Sequence, residues 1–385
     1  MLSSSHAFSP GPTAYVATAF LAYLLCARWL RWRNYLAIHQ KFGGKFLIGS
    51  LTIQDAQEIV QVSGIWDMPA LLYLALSYAT IKTYAIPSIS KILLSTKQIS
   101  TAEHASRRYA DVYIFIDTWI SCPILGREIS NGREHSDPRS MIATGRVNWL
   151  HSKYRIRWTD KYGWRQLSAM EKQALLMFWS EIGRRLEIQD IPETLNEMRD
   201  WVKSYEQTRR FQAKSNIDIM SFTIDYNSKV YPCLFGLRGL YKSIINCTLE
   251  YPVQTATMSP RPPWYMYVLT DGLFYGMKYY HRYLALPRCR PSSVVSLELP
   301  ESSDTRMHPT TFGAKPWYKP EGRVLTWIID HLLVWVGYRE STPGVQFKSQ
   351  GYRLEEIGPQ IYEHLGHNEV MQTAERIYGS PIGAP

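Results

Sequence analysis

The chain has 385 residues, 45% of them hydrophobic, with 13 Trp, 26 Tyr and a formal charge of +10. That length suits one large domain with a substantial core, and the aromatics suit either a wide apolar cavity or an interface near lipid headgroups. Five scattered cysteines, an odd number with no C-x-x-C pair, indicate neither a disulfide framework nor a zinc site. No dense Lys/Arg patch or zinc-finger spacing accompanies the charge, so no nucleic acid is expected and anionic lipid accounts for it more simply.

Thr13 to Ala27 carries no charge, and Trp29, Leu30 and Trp32 extend its apolar face past Arg28. A spanning helix needs ~20 apolar residues, a length approached if Arg28 and Arg31 snorkel, and a thinner endoplasmic reticulum bilayer relaxes the requirement. No Lys or Arg precedes the run and no small-x-small site follows it, which argues against a cleaved signal peptide. Positive charge follows at Arg28, Arg31, Arg33, Lys41 and Lys45, which places the amino terminus in the lumen and the body in the cytosol. The expected organisation is a short lumenal tail over 1–12, a single-pass anchor over 13–32 and one helical domain over 33–385, its core about 45–378.

The body reads as helices broken by proline and glycine, so the fold class is all-α. Helices are predicted over Ile53 to Val62, Pro69 to Thr80, Ala102 to Trp119, Pro138 to Arg155 and Trp264 to Leu286. Ser168-Ala169-Met170-Glu171 is a capping-box pattern opening a helix with Ala174, Leu175, Phe178, Ile182 and Leu186 at helical spacing. A second helix begins near Pro192, carries Leu195, Met198, Val202 and Tyr205 on one face, and forms a hairpin with the first. Ser130 to Asp137 and Pro291 to Thr311 read as surface insertions tolerant of change, and the tail from Ser380 as frayed.

Within the predicted 138–155 helix, Val147, Leu150, His151 and Tyr154 fall at i, i+3, i+4 and i+7, which aims an imidazole at the core. A buried imidazole is hydrogen-bonded or a metal ligand, because unpaired ring nitrogens in an apolar setting cost about 1–3 kcal/mol. The chain has no G-x-G-x-x-G after a strand, P-loop, G-x-S-x-G or H-E-x-x-H. An aromatic-rich helical body with one inward histidine is compatible with haem, one imidazole holding the iron and arginines pairing with the propionates. Arg146, Arg107 and Arg108 are the candidates for that pairing.

Several blocks resemble the membrane-bound fungal oxygenases of the MpaB type, related to the rubber oxygenases called latex clearing proteins. They are Arg107 to Asp111 (RRYAD), Arg146 to His151 (RVNWLH), Trp164 to Glu171 with Phe178-Trp179, and Trp201 to Glu206 (WVKSYE). Later come Pro262 to Trp264, Tyr283 to Arg288, Lys315 to Tyr318 (KPWY) and Gly351 to Pro359 (GYRLEEIGP). The ordered set, from about Arg107 to His367, is more specific than any one block.

The resemblance implies an all-α domain of the rubber-oxygenase type and haem b held through His151. It also implies O2-dependent attack on a hydrophobic small molecule, a step of fungal secondary-metabolite biosynthesis at the endoplasmic reticulum. The substrate would be a lipophilic polyketide or terpenoid and the bond attacked an isoprenoid C=C. Arg108 matches a distal-side arginine of the rubber branch, where it would polarise bound oxygen or hold a propionate. Two departures are plain. Asp111 and Val112 stand where that branch has Lys and Thr, so a lysine ligand is not supported. Only Ser152 to Gly163 separate the His151 block from Trp164, where the fungal pattern runs through roughly 20 residues, shorter than a helical hairpin needs. The rival readings are a haem-free scaffold for neighbouring pathway enzymes on the bilayer, and a cofactor-free isomerase or cyclase with His151, Asp111 or Tyr154 as acid or base.

Overall fold

Cap chemistry and prolines set most of the helix starts. The computed structural model describes residues 12–95, 102–130, 133–148, 164–232, 236–298, 305–360 and 363–382. Helices α1 (Pro12–Arg31) and α2 (Arg33–Leu47) run on as one helix that is long and apolar enough to cross a membrane, and α1 coincides with the expected anchor. Helix α3 (Ile53–Gln61) opens on a Thr52/Asp55 capping box, and a π-helical turn (Val62–Asp67) leads into α4 (Pro69–Tyr84), which has proline at its first position. Then follow α5 (Pro87–Ser95) and the central α6 (Ala102–Ser121).

A short antiparallel hairpin, β1 (Arg127–Ser130) and β2 (Arg133–Ser136), pairs Arg127 with Ser136. It is the only sheet among the described residues, so the all-α expectation holds for the architecture but not for this ribbon. The predicted insertion at 130–137 falls largely on it. Helix α7 spans Arg139–Asn148, and the rest of the expected 138–155 helix, with His151 and Tyr154, lies outside the described residues.

The Ser168/Glu171 capping box forms as expected at the start of α8 (Ala169–Arg185), and a Thr194/Glu197 box starts α9 (Leu195–Arg209). Leu195, Met198, Val202 and Tyr205 share the half-buried face of α9, which packs on α8 as the sequence pattern requires. The remaining helices are α10 (Lys214–Ser228), α11 (Leu237–Thr248), α12 (Tyr251–Thr257), α13 (Trp264–Tyr279) with a π-helical end (Tyr280–Leu284), α14 (Val324–Val336) and α15 (His367–Tyr378).

Helix α6 sits where the layers meet. Its Ile114, Phe115 and Trp119 join Ile59 of α3 and Phe178 and Ile182 of α8 in the main core. Its Ala105 joins Tyr84, Ile219 and Val253 in a second cluster, shared with α10 and α12. The last carbonyls of a helix lack internal donors, and here Gln57 supplies them, its Nε2 donating to the carbonyls of Trp119 at 2.9 Å and Cys122 at 2.7 Å. Buried Asp117 accepts the Tyr73 hydroxyl at 2.9 Å, the Ser293 hydroxyl at 2.6 Å and the backbone N–H groups of Val294 and Val295 at 2.7 and 2.9 Å. The segment from Pro291 is therefore partly core, against the expectation of a tolerant surface insertion. A charged side chain on another element supplies the partners that its backbone needs.

Candidate functional site

The Arg107 to Asp111 block lies on α6, and the later blocks of the chain fold onto one side of it. Trp317 donates its Nε1–H to Ser106 Oγ at 2.7 Å and stands 5.7 Å from the Arg107 guanidinium. Tyr318 donates its hydroxyl to Asp111 Oδ1 at 2.8 Å, and the N–H of Gly358 donates to Asp111 Oδ2 at 3.2 Å. Arg107 donates to Glu363 at 3.1 Å and lies 3.9 Å from Asp111, one helical turn on. Lys348 also pairs with Glu363. Residues more than 200 positions apart thus close around one buried acid.

Arg146 comes in from α7. It is fully buried and donates through Nε to the Ile357 carbonyl at 2.7 Å and through Nη1 to the Leu365 carbonyl at 3.0 Å. Burial lowers its pKa, opposed by the charges of Asp111 and Glu355. Burial likewise raises the pKa of Asp111, opposed by Arg107, Tyr318, Arg108 and the Gly358 N–H. Lys348 is pushed down to about 8 by burial first and then by Arg107.

Arg108 has different surroundings. With Val112 and Ile116 one and two turns on, and Tyr109 and Tyr113 beside them, it forms a half-buried stripe on a helix buried on its other sides. Its guanidinium makes no hydrogen bond among the described residues, and burial lowers its pKa, opposed by Asp111 and Tyr84.

Phenols surround that stripe. Tyr109 donates to Thr223 Oγ1 at 2.9 Å, lies 3.5 Å from the Tyr84 hydroxyl and stacks on Tyr226 with centroids 5.2 Å apart. Tyr113 meets Tyr73 edge-on at 5.8 Å and bonds Ser77 at 2.9 Å. Burial raises the pKa of Tyr73, Tyr84, Tyr109 and Tyr226, so all four stay neutral near pH 7.

The comparisons with known proteins bear on this arrangement. The chain is similar to ER-bound oxygenases of Penicillium. It is 23% identical over 408 residues to ER-bound oxygenase mpaB' of Penicillium brevicompactum, covering 94% of this chain and 92% of that protein. ER-bound oxygenase mpaB of the same species is 23% identical over 323 residues, with 77% of this chain and 75% of that protein covered. Its namesake in Penicillium roqueforti is 22% identical over 232 residues, covering 54% and 74%. No family model and no solved structure matches the chain.

Of the six site residues expected from sequence, Arg107, Arg108, Asp111 and Arg146 come together at the α6/α7 junction, while His151 and Tyr154 lie outside the described residues. No group of three or more metal-binding side chains occurs among the described residues. Sequence reasoning missed Glu363, Lys348 and the phenols of Tyr84, Tyr109, Tyr113 and Tyr226. Tyr318 sits inside a block that was singled out, but nothing in its spacing from Asp111 marks their contact.

Proposed function

We propose that this protein is a membrane-anchored haem oxygenase of fungal secondary-metabolite biosynthesis, acting from the cytosolic face of the endoplasmic reticulum on a lipophilic polyketide or terpenoid. The observation that carries the reading is similarity over nearly the whole length to a protein named as an ER-bound oxygenase. Two features fit it. Helix α1 can hold the body where lipophilic substrates dissolve, and the half-buried Arg108 stripe sets a cation that makes no hydrogen bond among the described residues beside neutral phenols.

That cation suits an anionic group such as a haem propionate, and His151 is the residue we assign to the iron. Arg107 and Arg146, already bonded to Glu363 and to backbone carbonyls, are assigned to holding the wall rather than to gripping a propionate directly. When bound, haem b would supply the redox chemistry that activates O2. Arg108 would hold a negatively charged group, the neutral phenols beside it would exclude water from that group, and Asp111 would fix α6 against the Trp317-Tyr318 segment.

The test is the absorption spectrum and haem content of detergent-solubilised protein beside His151→Ala and Arg108→Ala variants. The expected result is a Soret band in the native chain, lost in His151→Ala while helical circular dichroism persists, and weakened in Arg108→Ala. A folded native chain without haem would overturn the reading and favour the haem-free scaffold or the acid/base enzyme. Full haem in His151→Ala would overturn the ligand assignment.

A further inference from the structure

Helices α13 and α14 present apolar faces outward. On α13 the residues turned toward the body are mixed, with Met266 and Thr270 buried and Tyr267, Asp271, Phe274 and Lys278 half-buried, whereas Trp264, Tyr265, Val268, Leu269, Leu273 and Met277 are exposed. On α14 the one buried residue is Asp330, ion-paired to Lys319 and, at 2.9 Å, to Arg339. Outward stand Val324, Leu325, Trp327, Ile328, Leu332 and Trp335, the last 84% exposed, with Thr326 and His331 the polar residues among them. A surface helix of a soluble domain presents the opposite pattern. Contiguous apolar surface on this scale marks a contact with another apolar phase.

The anchor indicates which phase. Tyr23 lies inside the uncharged Thr13 to Ala27 run and donates its hydroxyl to the Leu284 carbonyl at 2.6 Å, while Arg31, eight residues on, donates to the Ala285 carbonyl. At 1.5 Å per residue, Tyr23 lies ~12 Å up the helix from Arg31. If Thr13 to Ala27 is in hydrocarbon, the π-helical end of α13 must therefore reach the edge of the same layer. Measured from Ala27, where the uncharged run ends, Tyr23 is four residues or ~6 Å deep, within the about 5–10 Å that interfacial helices sink. Exposed Arg261 and Arg323 stand just before α13 and α14, placed to reach phosphate groups.

We infer that the outer faces of α13 and α14 lie in the cytosolic leaflet beside α1, a second membrane attachment that seats the body on the bilayer. This rests on reading α1 as a membrane helix, and the experiment separates the two claims. Single cysteines replace Leu269 on α13, Leu325 on α14, Phe20 in the anchor and Arg199 on the exposed side of α9, in full-length protein with Cys26, Cys233, Cys247 and Cys289 changed to serine. Each carries a nitrobenzoxadiazole probe in vesicles of phosphatidylcholine and phosphatidylserine, with ordinary or brominated acyl chains, and circular dichroism confirms that the labelled proteins are folded.

Brominated lipid should quench the probes at 269 and 325 as it does the probe at 20, iodide should reach neither, and the probe at 199 should respond to iodide alone. Iodide quenching at 269 or 325, with the probe at 20 still quenched by lipid, would overturn the inference for that helix and leave the anchor standing. Protection of 269 and 325 from both quenchers would overturn it in favour of a protein partner or a second copy. A probe at 20 that lipid does not quench would remove the membrane reading itself.

Discussion

Arg107 and Arg108 are neighbours in sequence, but successive helical residues point about 100° apart, and that rotation gives them different work. Arg107 turns to Asp111 and Glu363, and Arg108 to the phenols. Asp111 holds the first side together, so its loss should be costly. Asp111→Ala leaves the Tyr318 hydroxyl and the Gly358 N–H without an acceptor and the buried guanidiniums of Arg107 and Arg146 without a neighbouring carboxyl. It should destabilise by about 3–5 kcal/mol in denaturant titration. The pH dependence has a definite sign. Burial raises the Asp111 pKa above its ordinary 3.8, so the folded chain keeps a proton that the unfolded chain has released. The group's stabilising contribution is full below pH 3.8 and is lost as pH rises through the raised value. Asp111→Asn, which keeps an acceptor for Tyr318 and never ionises, should flatten stability against pH in that window. An unchanged slope would show that another carboxyl carries it.

At the scale of elements, close approach and open space set opposite expectations for two helical glycines. A Cβ at Gly145 on α7 would stand 2.7 Å from the Val370 carbonyl on α15, backbone that cannot swing aside, whereas one at Gly239 on α11 would meet nothing within 4 Å. Gly145→Ala should therefore lower stability by about 1–3 kcal/mol, and Gly239→Ala should raise it by about 0.5–1 kcal/mol through helix propensity. Equal shifts of melting temperature in both would contradict the packing of α7 on α15. The same contrast explains what the sequence discloses. Local signals are legible, so Ser168 with Glu171 marks the start of α8 and the spacing of Leu195, Met198, Val202 and Tyr205 marks the inner face of α9. Long-range pairing is not, because neither Asp117 nor Val294 carries a sign that one will bond the other. The site follows this rule. The Arg107 to Asp111 block is visible as a motif, but its closure by Tyr318, Gly358 and Glu363 depends on the fold, and α14 is not predicted from the sequence at all.

For the whole molecule, charge and apolar surface predict different responses of membrane binding to salt. The formal charge of +10 would draw the chain to anionic lipid at low salt. Such attraction is long-ranged but fragile, since the Debye length shrinks from about 10 Å at 0.1 M salt to about 3 Å at 1 M. Burial of α1 among acyl chains does not depend on ionic strength in that way, and salting-out strengthens apolar burial if it changes it at all. Tyr23 and Arg31 bond the end of α13, so moving the body away from α1 would also break those contacts. The full chain should therefore remain in the membrane pellet after a wash in about 1 M sodium chloride and leave it only in detergent. The fraction pelleted should be the same for neutral and anionic vesicles. Release by salt would mean that the basic surface is the attachment and that α1 rests against the body. Retention in neutral vesicles would identify apolar surface, not charge, as what brings this site to lipid-dissolved molecules.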